Sequence, residues 1–343
     1  MPELHPDVCV VILNWNGKAF LEQFLPVVKK NTPDWVSLVV ADNGSSDDSL
    51  DYLQESHAEM KILRFKENLG FAGGYNAALN QLNAGYYVLL NSDIEVTPGW
   101  IEPVIKLMEN DQNIAACQPK ILSYHDKSMF EHAGASGGFL DRYGYPFCRG
   151  RIFNSLEQDT GQYDDVREVF WATGACLFVR ADAFKAVGGF DERFFAHMEE
   201  IDMCWRLQHA GYKIMVQPRS AVYHVGGGTL PKSNPHKTYL NFRNSLWMLA
   251  KNLPDRIFYP TMIIRVGLDK LASIRFLLQG QYKDCLAICR AYRDFCKQLR
   301  SMRRSGKKTR GMPPALLYKR SIVFQYYLQG KKRFSELIIN EDR

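Results

Sequence analysis

The stretch VCVVILNWNGKAFLEQFLPVVKKNTPDWVSLVVAD, residues 8–42, decides the fold. It opens on a β-branched run, VCVVIL (Val8–Leu13), and turns through Asn14-Trp15-Asn16-Gly17. Apolar residues then recur at helical spacing from Lys18 to Lys30, and the stretch closes on a second run, SLVVAD (Ser37–Asp42). Short continuous apolar runs are strands buried on both faces, and two of them joined by a helix make a parallel pair. The pattern repeats outward. A helix is predicted over Asp47–Glu55, a strand over MKILRF (Met60–Phe65), a helix over Gly73–Asn83, a strand over YYVLLN (Tyr86–Asn91), and a helix over Gly99–Glu109 entered through Pro98. The spacing predicts an α/β fold with a doubly wound, mostly parallel sheet, whose ligands sit at the carboxyl ends of the strands.

Polar clusters fall at those ends. They are Asn14–Gly17, Asp42-Asn43-Gly44-Ser45-Ser46-Asp47, Glu67-Asn68-Leu69-Gly70 and Asn91-Ser92-Asp93-Ile94-Glu95. Any one of them reads as a turn, but four on one rim point to a ligand crevice. From Lys120 to Asp165 periodicity is lost, as in an irregular insertion or acceptor-facing loop region. Arg167–Phe184 reads as a strand leading into a helix, followed by a turn at Gly188–Asp191 and a helix over Glu199–Gly211. The first turn of that last helix carries Glu199, Glu200 and Asp202, more acid than compensation of the helix dipole needs.

With 46% hydrophobic and 23% charged residues in 343, the chain is neither disordered, nor a disulfide-stapled miniprotein, nor a polytopic membrane protein. Its net charge of +6 is a composite: residues 1–250 carry 22 Lys+Arg against 30 Asp+Glu, and residues 251–343 carry 21 against 7. The break predicts a main domain over 1–250 and a basic helical extension over 251–343. Eight scattered cysteines without a CxxC pair read as reduced thiols, not as a zinc cluster or disulfide framework. Met1–Asp7 lacks a basic leader segment and Val8–Leu13 is too short for a signal core, so a cytosolic protein is expected.

Seven motifs in order, VVILNWNG, VVADNGSSDDS, ENLGFAGGYNAAL, LLNSDIEV, TGACLFVR, GGFDERFFAHMEEIDMCWRL and AVYHVGGGT, resemble the family 2 inverting glycosyltransferases of GT-A fold, specifically a rhamnosyltransferase-like branch. The resemblance covers about residues 7–250 and implies a nucleotide-sugar half near 7–120 and an acceptor half over 121–250. It implies that Asp42 accepts a hydrogen bond from the nucleotide base, with Asn43 and Ser45 beside it and Asn14 on the same rim. A carboxylate is acceptor-only and suits a uracil or thymine imide, hence a dTDP- or UDP-sugar. Asn68, Gly70 and Asn76 are implied donor-site residues, where glycines before a helix let N–H groups approach a diphosphate. Asn91-Ser92-Asp93 stands at the family's DxD motif with Asn in place of the first Asp. Asp93 is implied as ligand of a divalent cation, Mn²⁺ or Mg²⁺, with Asn91 and Ser92 on the donor, Glu95 as a second carboxylate and His224 completing the site. Gly226–Thr229 would close over the donor as a loop. Glu200 is implied as the base that takes the acceptor hydroxyl proton, tuned or oriented by Glu199 and Asp202. Trp205 and Arg206 pack or position that helix.

The implied activity is transfer of a sugar, rhamnose in prospect, to a glycan or lipid-linked saccharide for a cell-surface polysaccharide. Two other readings remain open here. A nucleotidyltransferase shares such a sheet but should place a Gly-rich basic loop where NWNG stands, and a noncatalytic nucleotide-sugar or glycan-binding scaffold would tolerate Asn91.

In the basic region, residues 257–278 are apolar, yet Arg265, Asp269, Lys270 and Arg275 interrupt them, so the run is not a spanning helix. Ile263, Val266, Leu268, Leu271, Ile274, Leu277 and Leu278 recur at helical spacing among cations, as in an interfacial helix. Cys285, Cys289, Tyr292 and Cys296 predict a helix–helix core stripe, Arg300–Arg310 a basic linker, and KRSIVFQYYLQGKKRF (319–334) a third amphipathic segment. The expected partner is an anionic membrane at the inner face of the cytoplasmic membrane, not nucleic acid. A bundle packed on the main domain or a homodimer contact is the alternative.

Overall fold

The computed structural model describes residues 6–226, 234–306 and 310–337. Its first half follows the predicted alternation: β1 (Val8–Asn14), α1 (Lys18–Asn31), β2 (Val36–Asp42), α2 (Ser49–Ser56), β3 (Lys61–Arg64), α3 (Gly70–Leu79) and β4 (Tyr86–Asn91). The four strands are parallel in the order β3-β2-β1-β4. Their register aligns the polar ends, with Asn14 opposite Asp42 and Leu13 opposite Asn91. The rim expected from the sequence is therefore one continuous edge. Helix α3 starts three residues before the predicted Gly73, directly after a turn in which Asn68 Oδ1 accepts the Gly70 amide.

Beyond β4 come β5 (Ile94–Val96), α4 (Glu102–Asn110) and β6 (Ile114–Ser123). The segment expected to be irregular instead contains a four-stranded antiparallel sheet of β7 (Gly138–Leu140), β8 (Pro146–Cys148), β9 (Arg151–Ile152) and β10 (Ser155–Leu156). Strands of two or three residues are too short to display an alternating pattern in sequence. Then follow β11 (Arg167–Glu168), β12 (Cys176–Arg180), α5 (Ala181–Ala186), α6 (Glu199–His209) and β13 (Lys213–His224). Strand β12 lies antiparallel between β4 and β6, and β13 runs parallel to β6 and antiparallel to β5. Among the described residues this makes a nine-stranded sheet.

Alternate residues of β1 feed two apolar layers. Val8, Val10 and Ile12 pack with α1 and α4, while Cys9 and Val11 pack with α3 and the α6 side. Each side chain fully buried this way contributes about 1.5–3 kcal/mol. The second layer continues into the C-terminal helices through Trp247, Phe258, Phe295 and Met302, and on to Tyr318 and Phe334. These helices are α7 (Pro235–Asn252), α8 (Asp255–Leu278), α9 (Tyr282–Ser305) and α10 (Ile322–Tyr327).

Helix α8 buries its polar side. Phe258, Thr261, Arg265 and Asp269 face inward. Arg265 bonds Asp269 (2.9 Å), the Tyr143 carbonyl (2.7 Å) and Ser245 Oγ (2.8 Å), and Tyr292 donates to Asp269 (2.7 Å). The charges that interrupt the apolar run thus tie the helix down, and Tyr259, Ile263, Ile264, Leu271, Ile274, Leu277 and Leu278 stand exposed. The predicted cysteine core stripe is corrected. Cys289 and Cys296 are exposed and α9 packs through Ala287, Ile288, Ala291, Phe295 and Met302 on a neighbouring face, while Tyr292 of the predicted stripe does pack against the core. The linker expected from Arg300 is helical to Ser305. The third amphipathic segment is also corrected: only Ile322–Tyr327 is helical, and Tyr326 and Phe334 pack on aromatic residues of the small sheet region. Among the described residues no helix is long and apolar enough to cross a membrane.

Candidate active site

At the rim, Asn14 is fully buried and donates through Nδ2 to Asp42 Oδ1 and Ser45 Oγ, both at 3.2 Å. Asp42 Oδ2 accepts the Ser45 amide at 3.1 Å. Asp42 is only 1% exposed, so its first role in this state is to hold the β2 loop against β1. Asn43 joins the next loop: its amide donates to Asn68 Oδ1 (3.1 Å) and the Gly70 carbonyl (3.0 Å), and its oxygen accepts the Leu69 amide (3.1 Å). Asn14, Asp42, Asn43, Ser45, Asn68 and Gly70 are thus one hydrogen-bonded network at the strand ends.

Gly70 has φ +72°, and a Cβ there would fall 2.5–2.6 Å from the ring and carbonyl of Phe195. Only glycine permits both the conformation and the approach. Through this contact and the Ala72 amide to the Phe195 carbonyl (3.1 Å), the rim abuts the segment that leads into α6. That segment is strained, with positive φ at Phe195, His197 and Met198. Each such residue costs on the order of 1–3 kcal/mol and persists only when its surroundings over-determine it. Asn244 of α7 supplies the restraint, its Nδ2 donating to the carbonyls of Phe194 (2.9 Å), Ala196 (2.8 Å) and His197 (2.7 Å).

The strained turn delivers the acidic pair. Glu199 is buried and Glu200 half-buried, and one carboxylate oxygen of each lacks a hydrogen-bond partner. Burial pushes the Glu200 carboxyl up to about 7, and burial and then the Glu200 charge push Glu199 well above its ordinary value. A half-buried carboxylate with a free oxygen and a near-neutral pKa is suited to accept a proton.

Across the rim, Asp93 follows β4, and β13 ends at His224 opposite Ile94. His224 Nε2 lies 3.2 Å from Asp93 Oδ1 in a geometry that makes no hydrogen bond, while Nδ1 is 3.0 Å from Glu131 Oε2. Burial alone would lower the imidazole, but the carboxylates of Asp93 and Glu131 overcome it and hold its pKa near 10. Glu95 does not join them; its carboxylate pairs with Lys127, which sits 4.2 Å from the Tyr223 ring centroid. Among the described residues no group of three or more His, Cys, Asp or Glu side chains is disposed around one ion position. Asp93 could offer an oxygen, and His224 a nitrogen once a cation displaces its Nε2 proton, a set that fits a divalent cation whose other positions are filled by diphosphate and water. Asn91 closes β4 with its amide on the Ala175 carbonyl, and Ser92 Oγ lies beside Gly17. Of the proposed closing loop only Gly226 is described; residues 227–229 lie outside the described residues.

The family model for glycosyl transferase family 2 matches residues 9–188, more than half of the chain and all of the rim described above. This chain belongs to glycosyl transferase family 2. It is 29% identical over 63% of its length to an N-acetylglucosaminyl-diphospho-decaprenol L-rhamnosyltransferase of Mycobacterium tuberculosis, covering 75% of that protein. In fold it resembles GalNAc-T7 solved with UDP, GalNAc and Mn²⁺ (TM-score 0.58, 16% identity), over 74% of this chain and about half, 49%, of that one. It also resembles the mannosyltransferase PcManGT of Pyrobaculum calidifontis, solved with GDP-Man and Mn²⁺ (TM-score 0.51, 13% identity, 89% of this chain and 85% of that one). These likenesses establish the GT-A-like fold.

In this glycosyltransferase two predicted site residues are spent on architecture. Asn76 clasps the Gly188–Asp191 turn, donating to the Phe190 carbonyl (2.9 Å) and accepting its amide (3.0 Å). Asp202 is fully buried and accepts from Lys251 (2.7 Å), Arg206 (2.9 Å) and Asn252 (2.8 Å). Its proton-accepting capacity is consumed there, which leaves it orienting α6. Arg206 also donates to the carbonyls of Val187 and Gly189, the positioning role expected of it. Sequence reading missed Glu131, Asn244 and Lys251. Glu131 lies in the segment without periodicity. Asn244 and Lys251 do carry a signal, being polar residues within a helix whose neighbours Leu240, Leu246, Trp247 and Leu249 are all core.

Proposed function

We propose that this glycosyltransferase is inverting and cation-dependent, and transfers a deoxyhexose such as rhamnose from a dTDP- or UDP-sugar to a lipid-linked saccharide at the cytoplasmic face of a membrane. The observation that carries the reading is Glu200, a carboxylate with a free oxygen and raised pKa, on a turn pressed against the donor rim by the Gly70–Phe195 contact. Glu200 removes the acceptor hydroxyl proton as that oxygen attacks the anomeric carbon. The bond to the nucleoside diphosphate breaks on the opposite face, its electron pair leaving with the diphosphate. Asp93 and His224 would hold a divalent cation, which supplies charge neutralisation to the departing diphosphate. Asp42 with Asn14, Asn43 and Ser45 holds the loop that receives the base, and Asn68, Gly70, Asn91 and Ser92 line the diphosphate side.

The lipid-linked acceptor and rhamnose are supported by the name of the mycobacterial relative, and the cation by the Mn²⁺ in the solved neighbours. We assign donor binding and the reacting saccharide of the acceptor to residues 1–250, and 251–343 to an appended helical unit whose described residues share the core and which rests on anionic lipid through the exposed side of α8. The test is a transfer assay of the full chain with dTDP-, UDP- and GDP-sugars on a short-chain prenyl-diphosphate saccharide, with and without Mn²⁺, the product anomer read by NMR. Cation-dependent transfer with inversion is expected. Donor binding without transfer to any acceptor would make the chain a nucleotide-sugar scaffold.

A further inference from the structure

Between the start of α7 and the outer side of α9 runs an open groove of about 600 Å³. Helical spacing builds it. Lys283, Leu286, Arg290, Arg293 and Asp294 repeat along one side of α9, facing His236 and Tyr239 from α7. The lining is cationic: Asp294 is paired with Arg293 and accepts from Tyr239 (3.0 Å), whereas Lys283 and Arg290 have no ion pair or hydrogen-bonded partner among the described residues. Unpaired Lys and Arg about two turns apart, roughly 10 Å along the axis, leave two long donors free to converge on a group between them.

The two ends of the groove lead to different places. At its inner end Tyr239 accepts from Arg243 (3.2 Å), and Arg243 donates to the Phe194 carbonyl (3.1 Å), in the strained segment before Glu200. His236 and Lys237 are also near enough to depress the pKa of His197, after burial, to about 4. At its outer end lie Tyr282 and Leu286, exposed and apolar, one short corner after Leu277 and Leu278 of α8. The groove thus combines an exposed apolar margin, unpaired cations, and a hydrogen-bonded link from Tyr239 through Arg243 to the Phe194 carbonyl, ahead of Glu200.

We infer that this groove binds the diphosphate of a polyprenyl-diphosphate acceptor, with Lys283 and Arg290 on the phosphates, Tyr282 and Leu286 on the first prenyl units, and the saccharide directed toward Glu200. The inference rests on the sugar-transfer reading proposed above and adds to it the site of the acceptor's anionic link. It places a binding function in the C-terminal helices, outside the residues matched by the family model.

The test is calorimetric titration of the full chain in neutral detergent with EDTA, which removes divalent cations from the donor rim. The probes are farnesyl diphosphate, inorganic pyrophosphate and farnesol. Farnesyl diphosphate is expected to bind about tenfold or more tightly than either of the others, and Lys283→Ala/Arg290→Ala to weaken it by about tenfold or more at an unchanged melting temperature. Equal binding by wild type and variant, or no binding by wild type, overturns the site. Pyrophosphate binding as tightly as the prenyl probe assigns the groove to a free anion and overturns the lipid-linked ligand. No transfer is read in this experiment, so a failed transfer assay with intact probe binding would overturn the enzymatic reading alone.

Discussion

Glu131 Oε2 lies 3.0 Å from His224 Nδ1, on the side of the ring opposite Asp93. The carboxylate fixes the imidazole so that Nε2 faces Asp93, and its own second hydrogen bond, from the Ala133 amide, keeps it in place. An outer carboxylate of this kind sets the ring orientation and raises the basicity of the ligating nitrogen. Glu131→Gln should therefore lower Mn²⁺ affinity, measured by calorimetry, by about 10–100-fold with little change in melting temperature. Unchanged affinity would mean that His224 is oriented by something else or is not a ligand.

Glu200 makes the pH dependence specific. Its carboxyl is pushed from 4.5 up to about 7 by burial, and only the carboxylate can take a proton. Transfer should rise through about pH 7 and level off above it, and Glu200→Gln should remove transfer by about 10²–10⁴-fold while donor binding persists. Stability runs the other way. A carboxyl whose folded pKa lies above its unfolded value stabilises the fold below the unfolded pKa, and that contribution is lost as pH rises through about 7. The melting temperature of wild type should fall over that window more than that of Glu200→Gln. Transfer retained in the variant would move the base to Glu199.

The rim was legible because parallel strands with a two-residue period put Asn14, Asp42 and Asn91 at one edge wherever the register starts. The acidic turn of α6 and His224 at the end of β13 were legible as motifs. The restraints on them were not. Asn244, Lys251 and Glu131 reach the site from 47 to 93 residues away in sequence, and tertiary packing alone decides which polar side chain meets which carbonyl or carboxylate. The α8 surface was half legible: helical periodicity gave the apolar side, but the sequence cannot tell that Arg265 and Asp269 face the core.

Lys251 bridges two carboxylates, the buried Asp202 and the half-buried Asp191. Its Nζ lies 2.8 Å from Asp191 Oδ2 and 2.7 Å from Asp202 Oδ2. Burial would raise both carboxyls; Arg193 with Lys251 holds Asp191, and Lys251 with Arg206 holds Asp202, below the usual range. Removing one partner of a buried pair leaves an uncompensated charge and costs about 3–5 kcal/mol. Lys251→Ala should lower stability by that amount in urea titration, and Lys251→Met/Asp202→Asn should recover part of it. A loss below about 1 kcal/mol would show the network to be replaceable by solvent.

The exposed side of α8 sets the last prediction. Ile263 is 74% and Leu278 84% exposed, and with Tyr259, Ile264, Leu271, Ile274 and Leu277 they form a stripe along a helix of 24 residues, about 36 Å long. Arg256, Lys270 and Arg275 stand exposed along the same helix, and its Asp269 is buried. Arg275 lies 4.7 Å from the Tyr327 ring centroid, which extends the surface onto the exposed Phe324, Tyr327 and Leu328. An apolar stripe flanked by cations suits an anionic bilayer surface, each nearby cation contributing about 1 kcal/mol. The full chain should co-sediment with phosphatidylglycerol vesicles, less with neutral ones and less in high salt. Because these side chains are largely solvent-exposed, Ile263→Asp/Leu271→Asp/Leu277→Asp should reduce the bound fraction about tenfold without lowering the melting temperature. Binding that survives the triple substitution would place the lipid contact elsewhere, and absence of binding at every salt concentration would leave the stripe to a protein partner.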